Sequence, residues 1–306
     1  MKNPFTPLGK RGRAKRISER AGELRDAGKK AEAIASYQRA MAIDPSWSVP
    51  FYNLGLLHKY EGEWQASLEA TRRATELDPK DEASWWNLGI AATALGRWDV
   101  ARTAWLRAGL KLPQGTGPID YPCGSNPIRL APAGEMETVW ADRLDPARAR
   151  LSNIPLGAFC FGDVVLNDGA PTGYRKRRGE DVPVFDCLAL LEPSPLATWC
   201  VEITLEEPKR KKDAPGPFDH LDIIARERGL AAENWTTSVR TLCKACSAGR
   251  PHDHHDEPRF GEGEPVPQRI AIAARTRGEV HDLLADWDAE GRGAIVGDIQ
   301  MEFSHA

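Results

Sequence analysis

The stretch richest in metal-binding side chains is Cys243-Lys244-Ala245-Cys246, followed by His252, His254 and His255. Two thiols spaced C-x-x-C can hold one ion across a tight turn, and zinc accepts sulfur and imidazole nitrogen in a tetrahedron. Gly249 and Pro251 let the chain double back between thiols and imidazoles. The ligand order expected is Cys243 and Cys246 first, His252 and His255 next, and His254 third. Asp253 and Asp256 can hold the far ring nitrogens. The spacing matches no standard zinc finger. A C-x-x-C redox dithiol has no use for a histidine cluster, and haem attachment requires histidine where Ser247 stands. A compact loop of this kind reads as a structural zinc staple. The catalytic alternative needs an open coordination position and a base, for which Glu257 is close in sequence.

Other chemistry is sparse. Cys123, Cys160, Cys187 and Cys200 stand singly and read as small buried apolar residues. Cys123 or Cys160 could join a metal site across space. There is no G-x-S-x-G, no phosphate-binding glycine loop and no G-x-G-x-x-G. The 306 residues carry 41 basic and 44 acidic side chains, a net charge of −3. Bulk charge therefore points neither to a nucleic-acid binder nor to an acidic tail. Basic runs at Arg175–Arg178 and Lys209–Lys212, and an arm with Lys10, Arg11, Arg13, Lys15 and Arg16, lack regular aromatic interleaving and read as solvated segments. No apolar stretch is long enough for a membrane span. The first residues carry charge where a signal peptide has an apolar core, so reduced cysteines and a cytoplasmic location are expected.

The elements that position this chemistry begin with a repeat. Pro45, Pro79 and Pro113 fall 34 residues apart, each closing a helix-like stretch. The same period joins Ala40, Ala74 and Ala108; Ala33, Ser67 and Ala101; Ala21, Gly55 and Gly89; and Gly28, Gly62 and Gly96. Small side chains at fixed places let two antiparallel helices approach, and a glycine between them supplies the turn. Ile17, Phe51, Trp85, Tyr37, Trp105, Leu54 and Leu88 fill the space left.

This pattern resembles the tetratricopeptide repeat over about residues 14–113. Phe51-Tyr52-Asn53-Leu54-Gly55 and Trp85-Trp86-Asn87-Leu88-Gly89 are similar to the first-helix signature of that family. The resemblance implies an N-terminal α-solenoid of three helical hairpins whose first helices line a concave groove for a protein or peptide. Carried over by position, that groove holds Lys15, Ser18, Glu19 and Gly22 from the first repeat. Tyr52, Asn53, Leu56 and Lys59 come from the second, and Trp86, Asn87 and Ile90 from the third. Asn53 and Asn87 suit hydrogen bonds to an extended backbone, and Tyr52 and Trp86 offer flat anchors. Ala83 and Asn87 stand in the region where some family members carry basic residues that clamp a terminal carboxylate. A repeat array needs its last apolar face covered. Gln114–Pro118 reads as linker, so segment 119–130 or the downstream region is expected to cover the third hairpin.

The rest of the chain divides by rhythm. After a basic arm (1–13) and the solenoid (14–113), a Pro/Gly-rich linker is expected over 114–135 and a β-rich, barrel-like region over 136–192. Asn167-Asp168-Gly169 reads there as a hairpin turn. Residues 196–304 follow as an α/β region. Strands are expected at 198–205, 235–242, 269–274 and 294–303, and helices at 217–230 and 277–288. This β-α-β-β-α-β order fits a ferredoxin-like sandwich, with the Cys/His loop 243–256 between its middle strands. The fold class expected is α+β multidomain. The function expected is a protein-binding adaptor, chaperone-like subunit or partner inhibitor with a zinc-stabilised C-terminal region. A metal-dependent enzyme and a nucleic-acid-contacting protein are the alternatives.

Overall fold

The computed structural model describes residues 9–130, 137–177, 179–205, 216–236, 267–288, 293–295 and 297–305. The chain divides into two units. One is Met1–Tyr121 with Asp145–Ala147, and the other is Pro122–Leu144 with Arg148–Ala306.

Among its described residues the first unit holds six helices in three hairpins: α1 (Lys10–Asp26) with α2 (Lys30–Ile43), α3 (Ser48–Tyr60) with α4 (Trp64–Leu77), and α5 (Glu82–Ala94) with α6 (Trp98–Arg107). Gly28, Gly62 and Gly96 end the first helix of each pair at φ +74°, +70° and +64°. That left-handed turn lets the next two N–H groups close on the last carbonyls, as Gly96 does on Thr93 and Arg97 on Ala92. Gly55 and Gly89 set the helix spacing. A Cβ at Gly55 would stand 2.5 Å from Thr71 Cγ2, and one at Gly89 2.6 Å from the Trp105 ring. Tyr37 and Trp105 are wholly buried. The basic residues Lys10 to Arg16 lie on α1, where an arm was expected. Arg11 donates to Asp44 at 2.5 Å and its guanidinium lies 5.4 Å from the centre of the Trp47 ring.

The last hairpin is not followed by a slack linker. Arg102 of α6 donates to the carbonyls of Pro113, Gly117 and Pro118 at 2.8, 3.1 and 3.2 Å. Residues 113–118 are thereby held against α6.

The second unit opens with a closed barrel of β1 (Ser125–Leu130), β2 (Glu137–Arg143), β3 (Arg148–Leu151), β4 (Val164–Arg177) and β5 (Glu180–Glu192). Successive strands are antiparallel, and β1 closes on β5 in parallel. Ile128, Leu130, Val139, Leu151 and Val165 fill it. Two expectations are corrected. The linker reading of 114–135 fails at Ser125–Leu130, which forms β1 despite Pro127. Pairing to β5 begins only at Ile128, beyond the residue that lacks an N–H. Asn167-Asp168-Gly169 is no hairpin turn. It lies inside β4 where the register to β5 shifts, because residues that favour turns also serve a bulge.

A second sheet follows, from β6 (Ala197–Leu205), β7 (Ala231–Asn234), β8 (Gln268–Ala274), β9 (Gly293–Ile295) and β10 (Gln300–Phe303). Helices α7 (Pro217–Glu227) and α8 (Arg277–Asp288) lie between them in sequence. The order is β10-β6-β8-β7, β9 also pairs with β6, and all neighbours are antiparallel. The second strand is Ala231–Asn234, ahead of the expected 235–242, of which 237–242 lie outside the described residues, and the expected closing strand 294–303 is split into β9 and β10. One face packs Val201, Ile203, Ile270 and Ile272 with Leu221 of α7 and Leu283 and Trp287 of α8. The other packs Ala231, Ala271 and Ala273 with Ile154 and Phe161. Burial on both faces explains the unbroken apolar run Ile270–Ala274. Among the described residues, no helix is long and apolar enough to cross a membrane.

Candidate partner-binding groove

Lys15, Ser18, Glu19 and Gly22 recur every three or four residues and so share one face of α1. Val49 and Asn53 do the same on α3. These six line a concavity of about 290 Å³, together with Arg25, Tyr37 and Trp47. Its surface is mixed. Val49 is 40% exposed, and Lys15 and Glu19 pair loosely across one helical turn at 3.9 Å. The Arg25 guanidinium is held further into its charged form by its hydrogen bond to Asp26. Burial pushes the Tyr37 phenol up, so it stays a neutral hydrogen-bonding group.

The remaining groove candidates separate by exposure. Tyr52, Leu56 and Trp86 are half-buried. Trp86 stacks edge-on against Trp105 at 5.0 Å between ring centres and donates to Glu82 Oε1 at 3.3 Å. Lys59, Asn87 and Ile90 are buried. Asn87 donates its amide to the Ala83 carbonyl at 2.8 Å, one turn back on its own helix. Lys59 lies 4.4 Å above the centre of the Tyr60 ring. Residues expected to act alike along the groove thus differ: the accessible concavity is at α1 and α3, while α5 is buried over most of its length.

Sequence reasoning missed Arg25, Tyr37, Trp47 and Val49 as lining residues. Arg25 follows Gly22 by three residues on the same face of α1, and Trp47 stands just before α3. Those placements carry the signal. Cys243, Cys246, His252, His254 and His255 lie outside the described residues. The structure does bring together three other metal-ligating groups. Cys160 Sγ, an Asp163 carboxylate oxygen and a His305 ring nitrogen lie within 4.8 Å of one another.

A family model described as tetratricopeptide repeat matches residues 52–115. Three solved structures are similar to the chain. The second TPR of Spaghetti (RPAP3) bound to the HSP90 peptide SRMEEVD is 20% identical, covering 32% of this chain and 91% of that one, with a TM-score of 0.31. The first TPR of the same protein, bound to the same peptide, is 22% identical, covering 31% of this chain and 75% of that one, with a TM-score of 0.30. MamA is 24% identical, covering 31% of this chain and 56% of that one, with a TM-score of 0.30. No curated protein matches the chain.

Proposed function

With an N-terminal region that is a tetratricopeptide repeat array, the chain is, we propose, a protein-binding adaptor that holds a segment of another protein against α1 and α3. The observation that carries this is the concavity between those helices. It is lined by charged side chains (Lys15, Glu19, Arg25) and by the apolar Trp47 and Val49. Aromatic anchors beside flexible charges suit an extended or helical segment, because rings bury area at little cost in rotamer entropy. Asn53 is the side chain placed to hydrogen-bond a backbone there. Tyr52, Leu56 and Trp86 extend the accessible surface. Asn87, with its amide already bonded within α5, is assigned a structural part.

Affinity capture from the native host, with the full chain and its Asn53→Ala and Trp47→Ala variants, tests the reading. Proteins held by the parent should be lost from both variants at unchanged helix content. Capture of the same set by all three would refute it.

Two further parts of the proposal concern the C-terminal region. The element order with sheet order β10-β6-β8-β7 supports reading Ala197–Phe303 as a ferredoxin-like sandwich. The spacing of Cys243, Cys246, His252, His254 and His255, which lie between β7 and β8 in sequence, supports a structural zinc held by these side chains. Cys243→Ser should lower bound zinc and the melting temperature together. Loss of zinc with no change in melting would argue against a structural ion.

A further inference from the structure

Cys160, Phe161, Gly162 and Asp163 form a four-residue turn between β3 and β4. Gly162 has φ +88°, a left-handed backbone that favours glycine, and a Cβ there would make a tight 3.1 Å contact with Ser194 Oγ. The Asp163 N–H reaches the Cys160 carbonyl at 3.2 Å, and the Cys160 N–H returns to Asp163 Oδ2 at 2.8 Å. The turn thus sets its first and fourth side chains side by side, as a C-x-x-C knuckle does. The Ser194 N–H, on the segment entering β6, holds the other carboxylate oxygen at 2.7 Å. His305, just after β10, places Nε2 at 3.0 and 2.8 Å from Oδ1 and Oδ2 of Asp163. Cys160 and Asp163 are wholly buried, and the His305 side chain is 18% exposed.

We propose that Cys160, Asp163 and His305 bind a divalent cation of the zinc class, joining the barrel turn to the last strand of the sheet. Three donors of different kinds within 4.8 Å can close on one ion with bonds of about 2.0–2.3 Å after small side-chain shifts. A thiolate with imidazole and carboxylate selects zinc-like ions over calcium or magnesium, which take oxygen donors. The two backbone N–H groups on Asp163 orient the carboxylate as outer partners of metal ligands do.

The test uses the full chain carrying Cys243→Ser and Cys246→Ser, so that the other candidate loop contributes no sulfur. Titration with Co²⁺ alone should produce a thiolate-to-cobalt absorption band that saturates at one ion per chain and is displaced by Zn²⁺. Cys160→Ser should abolish the band, and Asp163→Asn should weaken binding by about tenfold or more. His305→Gln decides the matter if Cys160→Ser fails to fold, since His305 follows the last strand and is partly exposed. It should lose Co²⁺ binding while keeping native circular dichroism. Absence of the band in the folded parent, or an equally tight band in folded His305→Gln, overturns the proposal.

Discussion

At the residue scale, two glycines inside helices have opposite energetic roles. Gly89 is a contact glycine, since a methyl there would enter the wholly buried Trp105 ring, which has no room to retreat. Gly89→Ala should therefore cost about 1–3 kcal/mol by overpacking, read as a lowered urea midpoint. Gly22, on α1, has only Tyr37 Oη at 3.8 Å near its Cβ position. Gly22→Ala should stabilise the fold by about 0.5–1 kcal/mol, read as a raised midpoint, because the helix interior then loses less backbone entropy on folding. Cysteine reactivity differs in the same local way. Burial pushes Cys187 up to about 12. At pH 8 its thiolate fraction is then about one in 10⁴. Alkylation followed by peptide mapping should find Cys187 modified far more slowly than a free cysteine in the denatured chain.

At the element scale, the hairpins are tied where helices end. Arg11 near the start of α1 grips Asp44 at the end of α2. That bond, helped by the Ser46 hydroxyl, holds the Asp44 carboxyl below the usual aspartate range. A depressed carboxyl contributes stability above its unfolded pKa and loses it as pH falls through the lower folded value. Acid should loosen the first hairpin in that window, and Arg11→Ala should reduce the pH dependence, leaving the part that Ser46 supplies; hydrogen exchange of the α1 and α2 amides reads both. The other end of the array is tied by Arg102. Arg102→Ala removes donors to three carbonyls at once, and residues 113–118 should become a site of early limited proteolysis while α1–α4 stay protected.

At the scale of the second unit, the barrel and the sheet share a polar joint. Glu233 of β7 accepts the Asn153 amide at 3.0 Å and the Ile154 N–H at 2.9 Å, and Trp235 Nε1 donates to the Ile154 carbonyl at 3.2 Å. Around it Ile154, Leu196 and Ala271 form an apolar contact. Glu233→Ala strands two donors and should cost about 1–3 kcal/mol, seen as earlier unfolding of this unit in denaturant. A single broadened transition splitting into two would show that this joint couples barrel and sheet.

How much of this was legible beforehand follows from the range of the interactions. The hairpins were readable because helix packing repeats locally: the 34-residue period places Gly28, Gly62 and Gly96 at turns and Gly55 and Gly89 at contacts. Strands β6 and β8 and both helices of the sheet region were readable from their apolar runs. Strand β1 was not, since Asn126 and Pro127 argue against a strand until β2 and β5 supply partners. The groove face of α1 was expected from the family resemblance, carried over by position. Which of its counterparts on α3 and α5 stay accessible was not, because exposure is set by neighbours remote in sequence. The cluster of Cys160, Asp163 and His305 marks the limit most clearly. The C-x-x-D spacing and the glycine turn are local and lie in the sequence, whereas the third group comes from 142 residues away. A turn can be encoded by four residues, but only closure of the sheet by β10 brings His305 to it.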